Sequence, residues 1–167
     1  MEAKMKAVKS MAVAVAIAAG ALTVLSASTG SAGEAPGFIS VEASKLKWAD
    51  APSVGPGAKI AVIEGDLKAS EPITFRLKVP ANSKIAVHTH PTAERVTVLS
   101  GTFYFAVGDK FDAAKGKAYK PGDAFIVPSG MPMYAYTKTG DTIVQIHGTG
   151  PWGISYANPL DAPGKKK

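Results

Sequence analysis

The 167-residue chain has no cysteine. That excludes a disulfide framework and lipidation on Cys, so the fold has to rest on its hydrophobic core. Arginine is nearly as scarce, with only Arg76 and Arg95. A nucleic-acid-binding face needs a basic patch with Arg or aromatic readers, and the formal net charge of +6 does not supply one. Lys4, Lys6 and Lys9 lie in the first ten residues and Lys165, Lys166 and Lys167 form the end, which leaves the body between them close to neutral with its charges interspersed. The Lys run reads as a solvated, frayed tail. No apolar period of 3.6 residues persists for a helical length. No apolar run reaches the ~20 residues that span a bilayer.

The longest apolar stretch is N-terminal. Met11 to Leu25 carries no charge, is rich in Ala and Val, and ends in the small residues Ser26 to Ala32. A basic start, an apolar middle and a small-residue end make a secretory signal peptide. Cleavage is expected after Ala32, with Gly30 and Ala32 flanking Ser31. An uncleaved anchor is the rival reading, since nothing charged appears between Ser10 and Gly33. The expected organisation is a signal peptide over 1–32, a flexible segment over 33–42, one domain over 43–160 and a Lys-rich tail over 161–167. The mature chain is long enough for a single buried core. Its expected location is the periplasm or the exterior, with no stable membrane insertion after cleavage.

From residue 40 onward the chain alternates short β-branched segments with turn residues. Strands are expected at 59–64, 73–79, 84–90, 95–99, 102–107, 124–127, 133–137 and 142–147. Pro80-Ala81-Asn82, Ser100-Gly101, Gly108-Asp109, Pro121-Gly122-Asp123, Ser129-Gly130 and Thr139-Gly140-Asp141 separate them. Strands at this spacing predict an all-β sandwich or barrel in one domain. Residues 151–167, with three prolines, read as a closing strap and tail.

His88-Thr89-His90 ends one of these strands. Residues two apart on a strand point to one face, so both imidazoles aim at one place. Pro91 turns the chain, and Glu94 opens the next strand, where its carboxylate faces back across the pair. Two His and one carboxylate suit Fe, Mn, Zn, Ni or Cu. An H-x-H pair in a β protein is also a common surface or packing feature. His147, with Gln145 and Ile143 on one face of its strand, is expected either to reach the interior as a substitute ligand or acid/base group, or to be hydrogen-bonded at a strand end. Tyr104, Tyr134, Tyr136 and Trp152 are either the pocket mouth or core.

These residues fall into a pattern. His88, His90, Glu94 and Gly101 fill G-x5-H-x-H-x3-4-E-x6-G, and Gly122, Pro128 and Gly130 fill the first part of G-x5-P-x-G-x2-H-x3-N. The chain thereby resembles the cupin superfamily, and its segment from Gln145 to Ile154 is similar to that of small bacterial cupins. The resemblance implies a double-stranded β-helix, or jelly-roll barrel, of the RmlC-like type. It also implies one divalent metal ion held by His88, His90 and Glu94, a small-molecule ligand or substrate, and a homodimer. Three positions depart from the pattern. Asn82 replaces the first Gly, Thr137 replaces the last Asn, and Met133 stands where the fourth ligand is His. Met133 is then a core residue beside a three-ligand site, a soft ligand suited to copper, or the mark of a site without metal.

Two functions follow as expectations. One is a metal-dependent oxygenase, isomerase or lyase, with His147 or Glu94 handling protons. The other is a non-catalytic protein that holds metal or a small ligand, copper if Met133 ligates. The fold hosts both, so the resemblance does not choose between them.

Overall fold

Glycine and asparagine in left-handed conformations mark where the strands stop. Gly101 (φ 77°) turns the chain between two strands, and a Cβ there would lie 2.5 Å from the Asp141 carbonyl oxygen and 2.7 Å from Thr142 Oγ1. Gly101→Ala is therefore expected to lower stability by about 1–3 kcal/mol, read as a drop in urea midpoint. Asn82 (φ 56°) is the sole non-glycine residue with positive φ among the described residues. Asn tolerates that region better than other side chains, so it serves where the pattern has Gly.

The computed structural model describes residues 37–165. The expected signal peptide lies outside them. The chain divides into two units, and everything below concerns the second, which begins at Ser40. Its strands are β1 (Ala49–Asp50), β2 (Lys59–Glu64), β3 (Pro72–Val79), β4 (Lys84–Thr89), β5 (Glu94–Ser100), β6 (Phe103–Val107), β7 (Lys117–Tyr119), β8 (Ala124–Val127), β9 (Met133–Tyr136), β10 (Thr142–Thr149) and β11 (Ser155–Tyr156). One sheet runs β1-β2-β3-β10-β5-β8 and the other β11-β4-β9-β6-β7. The described pairings are antiparallel. The fold is all-β, as the strand spacing predicts. All eight expected strands are present within two residues of their expected ends. The very short β1, β7 and β11 lack the length for a periodic signal.

Alternation sorts the side chains. Phe75 and Leu77 of β3, Val96 of β5, Phe103 and Phe105 of β6, Ala135 of β9, and Val144 and Ile146 of β10 face one interior, where they both form the core and line a cavity. Burying each large apolar side chain contributes roughly 1.5–3 kcal/mol. Tyr104, Tyr134 and Tyr136 point the other way. Tyr104 stacks on Tyr136 at 4.8 Å, Phe111 covers Tyr134, and the Tyr134 and Tyr136 hydroxyls donate to the carbonyls of Asp112 and Ala113. These three tyrosines belong to the second face of the five-stranded sheet and not to the pocket mouth.

The segment after β9 holds the turn that carries Asn82. The Thr137 hydroxyl donates to the Pro80 carbonyl and accepts from the Ser83 amide at 3.0 Å, and the Asn82 amide donates to the Lys138 carbonyl at 2.8 Å. Asn82 and Thr137 thus tie the same turn from its two sides.

Candidate metal centre and cavity

His88 lies near the end of β4, and His90 follows that strand by one residue. Both are almost fully buried and line a cavity of about 310 Å³. The β4–β9 pairing contains a bulge between Ile85 and His88. That extra residue brings Ile85 and His88, three apart, to the same cavity although strict alternation would separate them. Their ring centroids place His88 and His90 5.0 Å apart. Glu94 begins β5, is buried, and brings a carboxylate oxygen to 3.9 Å from His90 Nε2. The turn of the second motif holds the turn of the first. The Gly130 amide donates to the His90 carbonyl at 2.9 Å, and the Ser129 hydroxyl donates to the Pro91 carbonyl at 2.7 Å.

Hydrogen bonds determine the histidine tautomers. His88 Nδ1 lies 2.7 Å from the Ala86 carbonyl oxygen and His90 Nδ1 lies 2.5 Å from that of Gly153. A carbonyl only accepts, so each Nδ1 carries the proton and donates it. In the neutral rings Nε2 is then the lone-pair nitrogen, the arrangement that metal-binding histidines use. Burial keeps the rings neutral. Desolvation lowers His88 to about 4 despite the opposing Ala86 hydrogen bond, and it lowers His90 as well. The same burial lifts the Glu94 carboxyl to about 7. No side-chain hydrogen bond among the described residues reaches that carboxylate.

Among the described residues no three His, Asp or Glu side chains are gathered closely enough to hold a metal as they stand. The donor set nevertheless fits one. Two ligands at ~2.1 Å from a tetrahedral metal lie roughly 3.4 Å apart. His90 Nε2 and Glu94 Oε2, at 3.9 Å, need close by only about half an ångström. A buried carboxylate 3.9 Å from one lone-pair nitrogen, with a second such imidazole lining the same cavity, is a donor set that suits a cation. Met133 stands directly across from His88 in the β4–β9 register, is 1 % exposed, and also lines the cavity.

His147 is elsewhere. Val144 and Ile146 of β10 face the cavity, so Gln145 and His147 project from the opposite face of the six-stranded sheet. This corrects the expectation that they reach the interior. There they complete a chain of hydrogen bonds with one consistent direction. Arg76 Nε donates to Gln145 Oε1 at 2.9 Å, and Gln145 Nε2 donates to His147 Nε2 at 3.0 Å. His147 Nδ1 donates to Thr74 Oγ1 at 3.2 Å, and Thr74 Oγ1 donates to Glu64 Oε2 at 3.0 Å. The hydrogen-bonded alternative for His147 is the one observed. His147→Ala is expected to cost about 1–2 kcal/mol in chemical denaturation and to leave metal titrations unchanged.

Residues 150–157 close the site. Gly153 supplies the carbonyl that holds His90, and Trp152 stacks on the His90 ring at 4.3 Å and meets Phe75 edge-on at 5.3 Å. β11 pairs Tyr156 with His88, and the Tyr156 hydroxyl donates to the Ser53 carbonyl at 2.8 Å. Burial raises that hydroxyl to about 12, so it remains a donor. Sequence reasoning singled out Trp152 but missed Gly153 and Tyr156, because a backbone carbonyl and a two-residue strand leave no sequence signal.

Residues 75–146 match the family described as "Cupin domain". The barrel has the cupin fold. Among solved structures the chain is similar to the polyketide cyclase RemF from Streptomyces resistomycificus, at 16 % identity and a TM-score of 0.60, covering 72 % of this chain and 86 % of that one. It is similar to DMSP lyase DddQ from Ruegeria pomeroyi DSS-3, at 15 % identity and 0.56, covering 72 % of each. It is also similar to an RmlC-like cupin from Shewanella frigidimarina NCIMB 400, at 19 % identity and 0.52, covering 65 % and 87 %. No curated protein matches the chain. The cupin match contains His88, His90, Glu94 and Met133 and stops short of residues 150–157.

Proposed function

We propose that this chain is an exported cupin that holds one divalent transition metal on His88 Nε2, His90 Nε2 and the Glu94 carboxylate, and that acts on a small molecule in the adjoining cavity. The observation that carries this reading is the pair of Nδ1–H donations to the Ala86 and Gly153 carbonyls, which leave a lone pair on each Nε2, that of His90 3.9 Å from the Glu94 carboxylate. When bound, the metal would supply a Lewis acid that polarises a substrate oxygen, as a lyase or isomerase needs, or a redox centre, as an oxygenase needs. The chain's own contribution is to fix the imidazoles, to exclude water with apolar walls, and to hold the Glu94 carboxylate buried beside them. Export to the periplasm or exterior after cleavage at Ala32, and pairing into a homodimer through sheet edges, belong to the same reading.

The test is titration of protein refolded without metal against Fe(II), Mn(II), Zn(II), Ni(II) and Cu(I/II) by calorimetry. One ion per chain is expected. Loss of an outer partner of a metal ligand weakens binding ~10–100-fold, so loss of a ligand in His88→Ala is expected to weaken it more. Unchanged affinity in His88→Ala would sink the proposal.

Met133 favours a second reading, a non-catalytic copper holder, because its thioether lies across from His88 in the cavity. Cu(I) affinity that falls in Met133→Ala, with a shift toward harder metals in Met133→His, is the expected result for that reading. Equal Cu(I) affinity in wild type and Met133→Ala excludes it.

A further inference from the structure

The cavity wall is sharply divided. Phe75, Phe103, Phe105, Phe125 and Trp152 supply aromatic faces, with aliphatic side chains between them. Phe105 and Phe125 stack at 4.2 Å, and Trp152 meets Phe75 at 5.3 Å, so the rings form two braced walls. No Lys or Arg lines the cavity. Of the polar side chains that do, Asp50 is exposed and bound to Lys59 Nζ at 2.5 Å. The Tyr156 hydroxyl donates to the backbone of Ser53, which follows Asp50 in the segment between β1 and β2. Ser53 is itself exposed and the Trp152 indole lies against the His90 ring, so the remaining polar side chains are His88, His90 and Glu94.

We propose that the cavity takes a neutral, apolar or aromatic molecule of about two rings, whose single oxygen donor is turned toward His88, His90 and Glu94. This rests on the reading of the cavity as the chamber for the small molecule. Size sets the upper bound. A dry cavity of ~150 Å³ holds benzene, so about 310 Å³ suits a body roughly twice as large. Polarity sets the class. A hydroxyl or carboxylate placed among the phenylalanines finds no donor or cation, and an unpaired polar group in such surroundings is strongly disfavoured. A polyol has hydroxyls on every side and leaves most of them without partners. An anion whose charge lies away from the histidine end loses its water and gains nothing.

The experiment compares 2-naphthol, 6-hydroxy-2-naphthoate and glucose by calorimetry on the full chain, once in EDTA and once saturated with Zn(II). Expected in both conditions is 2-naphthol bound at least tenfold more tightly than 6-hydroxy-2-naphthoate, with no heat from glucose. Glucose or the naphthoate binding as tightly as 2-naphthol overturns the proposal, and so does absence of 2-naphthol binding. Ala135→Leu narrows the cavity from β9, two residues beyond Met133. It is expected to weaken 2-naphthol at least tenfold while leaving Zn(II) affinity unchanged. Unaltered 2-naphthol affinity in a folded Ala135→Leu places the ligand elsewhere and also overturns the proposal. Circular dichroism shows whether that variant folds, and if it does not, the wild-type ranking decides alone. Loss of Zn(II) binding with the ranking intact removes the metal reading only, whereas loss of the ranking with Zn(II) binding intact removes this one only.

Discussion

Glu94→Gln is expected to stabilise the metal-free protein at pH 8 and, in the same protein, to weaken metal binding. The sign follows from burial. In the folded chain the Glu94 carboxyl sits at about 7 against an ordinary 4.5. Between those values the folded state keeps a proton that the unfolded state has released. Stability therefore falls as pH rises from about 4.5 through 7, and above 7 the chain carries the full cost of a buried carboxylate without a partner. By linkage that cost is on the order of 3 kcal/mol. Glutamine preserves the shape of the protonated acid and removes the titration. The variant should melt higher than wild type at pH 8, and the two should converge near pH 4. His88 acts in the opposite sense, since its folded value of about 4 lies below the usual 6.5 and stability is lost as pH falls between them. That slope is common to both proteins and cancels in the comparison. Zn(II) at 1,000 times its Kd should reverse the order, because it adds about 4.1 kcal/mol to the protein that binds it. Thermal midpoints at pH 4 and 8, with and without Zn(II), check both halves. A Glu94→Gln protein no more stable than wild type at pH 8 would show that the carboxylate has a partner in the folded state.

Trp152→Ala is the second large effect. Trp152 meets Phe75, a core residue only 2 % exposed, and it stacks on His90. Truncation of a buried Trp costs about 3–5 kcal/mol, and Trp152 is only partly buried, so about 2–3 kcal/mol is expected. The effect on binding is more telling. The His90 ring is held by two contacts from the same segment, the Trp152 stack and the Gly153 carbonyl. Losing the stack frees the ring to rotate about its remaining bond. Orienting groups of this kind are worth ~10–100-fold in metal affinity. Trp152→Phe retains a stacking face and should recover most of that affinity, while recovering less of the stability. If Trp152→Ala loses stability but binds Zn(II) as wild type does, the stack serves packing alone.

Much of the site is readable from residue spacing. Two His two apart on a strand share a face whatever the rest of the chain does, and Glu94 opens the next strand within one short turn. Turn residues bounded the eight longer strands for the same local reason. The all-β class, the strand positions and the shared cavity of His88, His90 and Glu94 were therefore legible in the sequence. His147 was not, because Ile143 puts an apolar residue on the face of Gln145 and His147 just as Val144 and Ile146 do on the other. Alternation alone states that Gln145 and His147 share a face, and it does not state which face is inside. Packing decided that. Val144 and Ile146 line the cavity beside Phe75 of the same sheet and together with Phe105 of the other, and the polar pair was left to the outer surface with Arg76 and Glu64. The bulge before His88, the Gly153 carbonyl on His90, and the division of the cavity into aromatic walls and one polar end likewise come from residues far apart in the chain. Local spacing determined which donors stand together. The tertiary structure decided which tautomer they take, how hard burial presses on their protons, and what kind of molecule the space beside them admits, because each of these depends on contacts between strands that are distant in sequence.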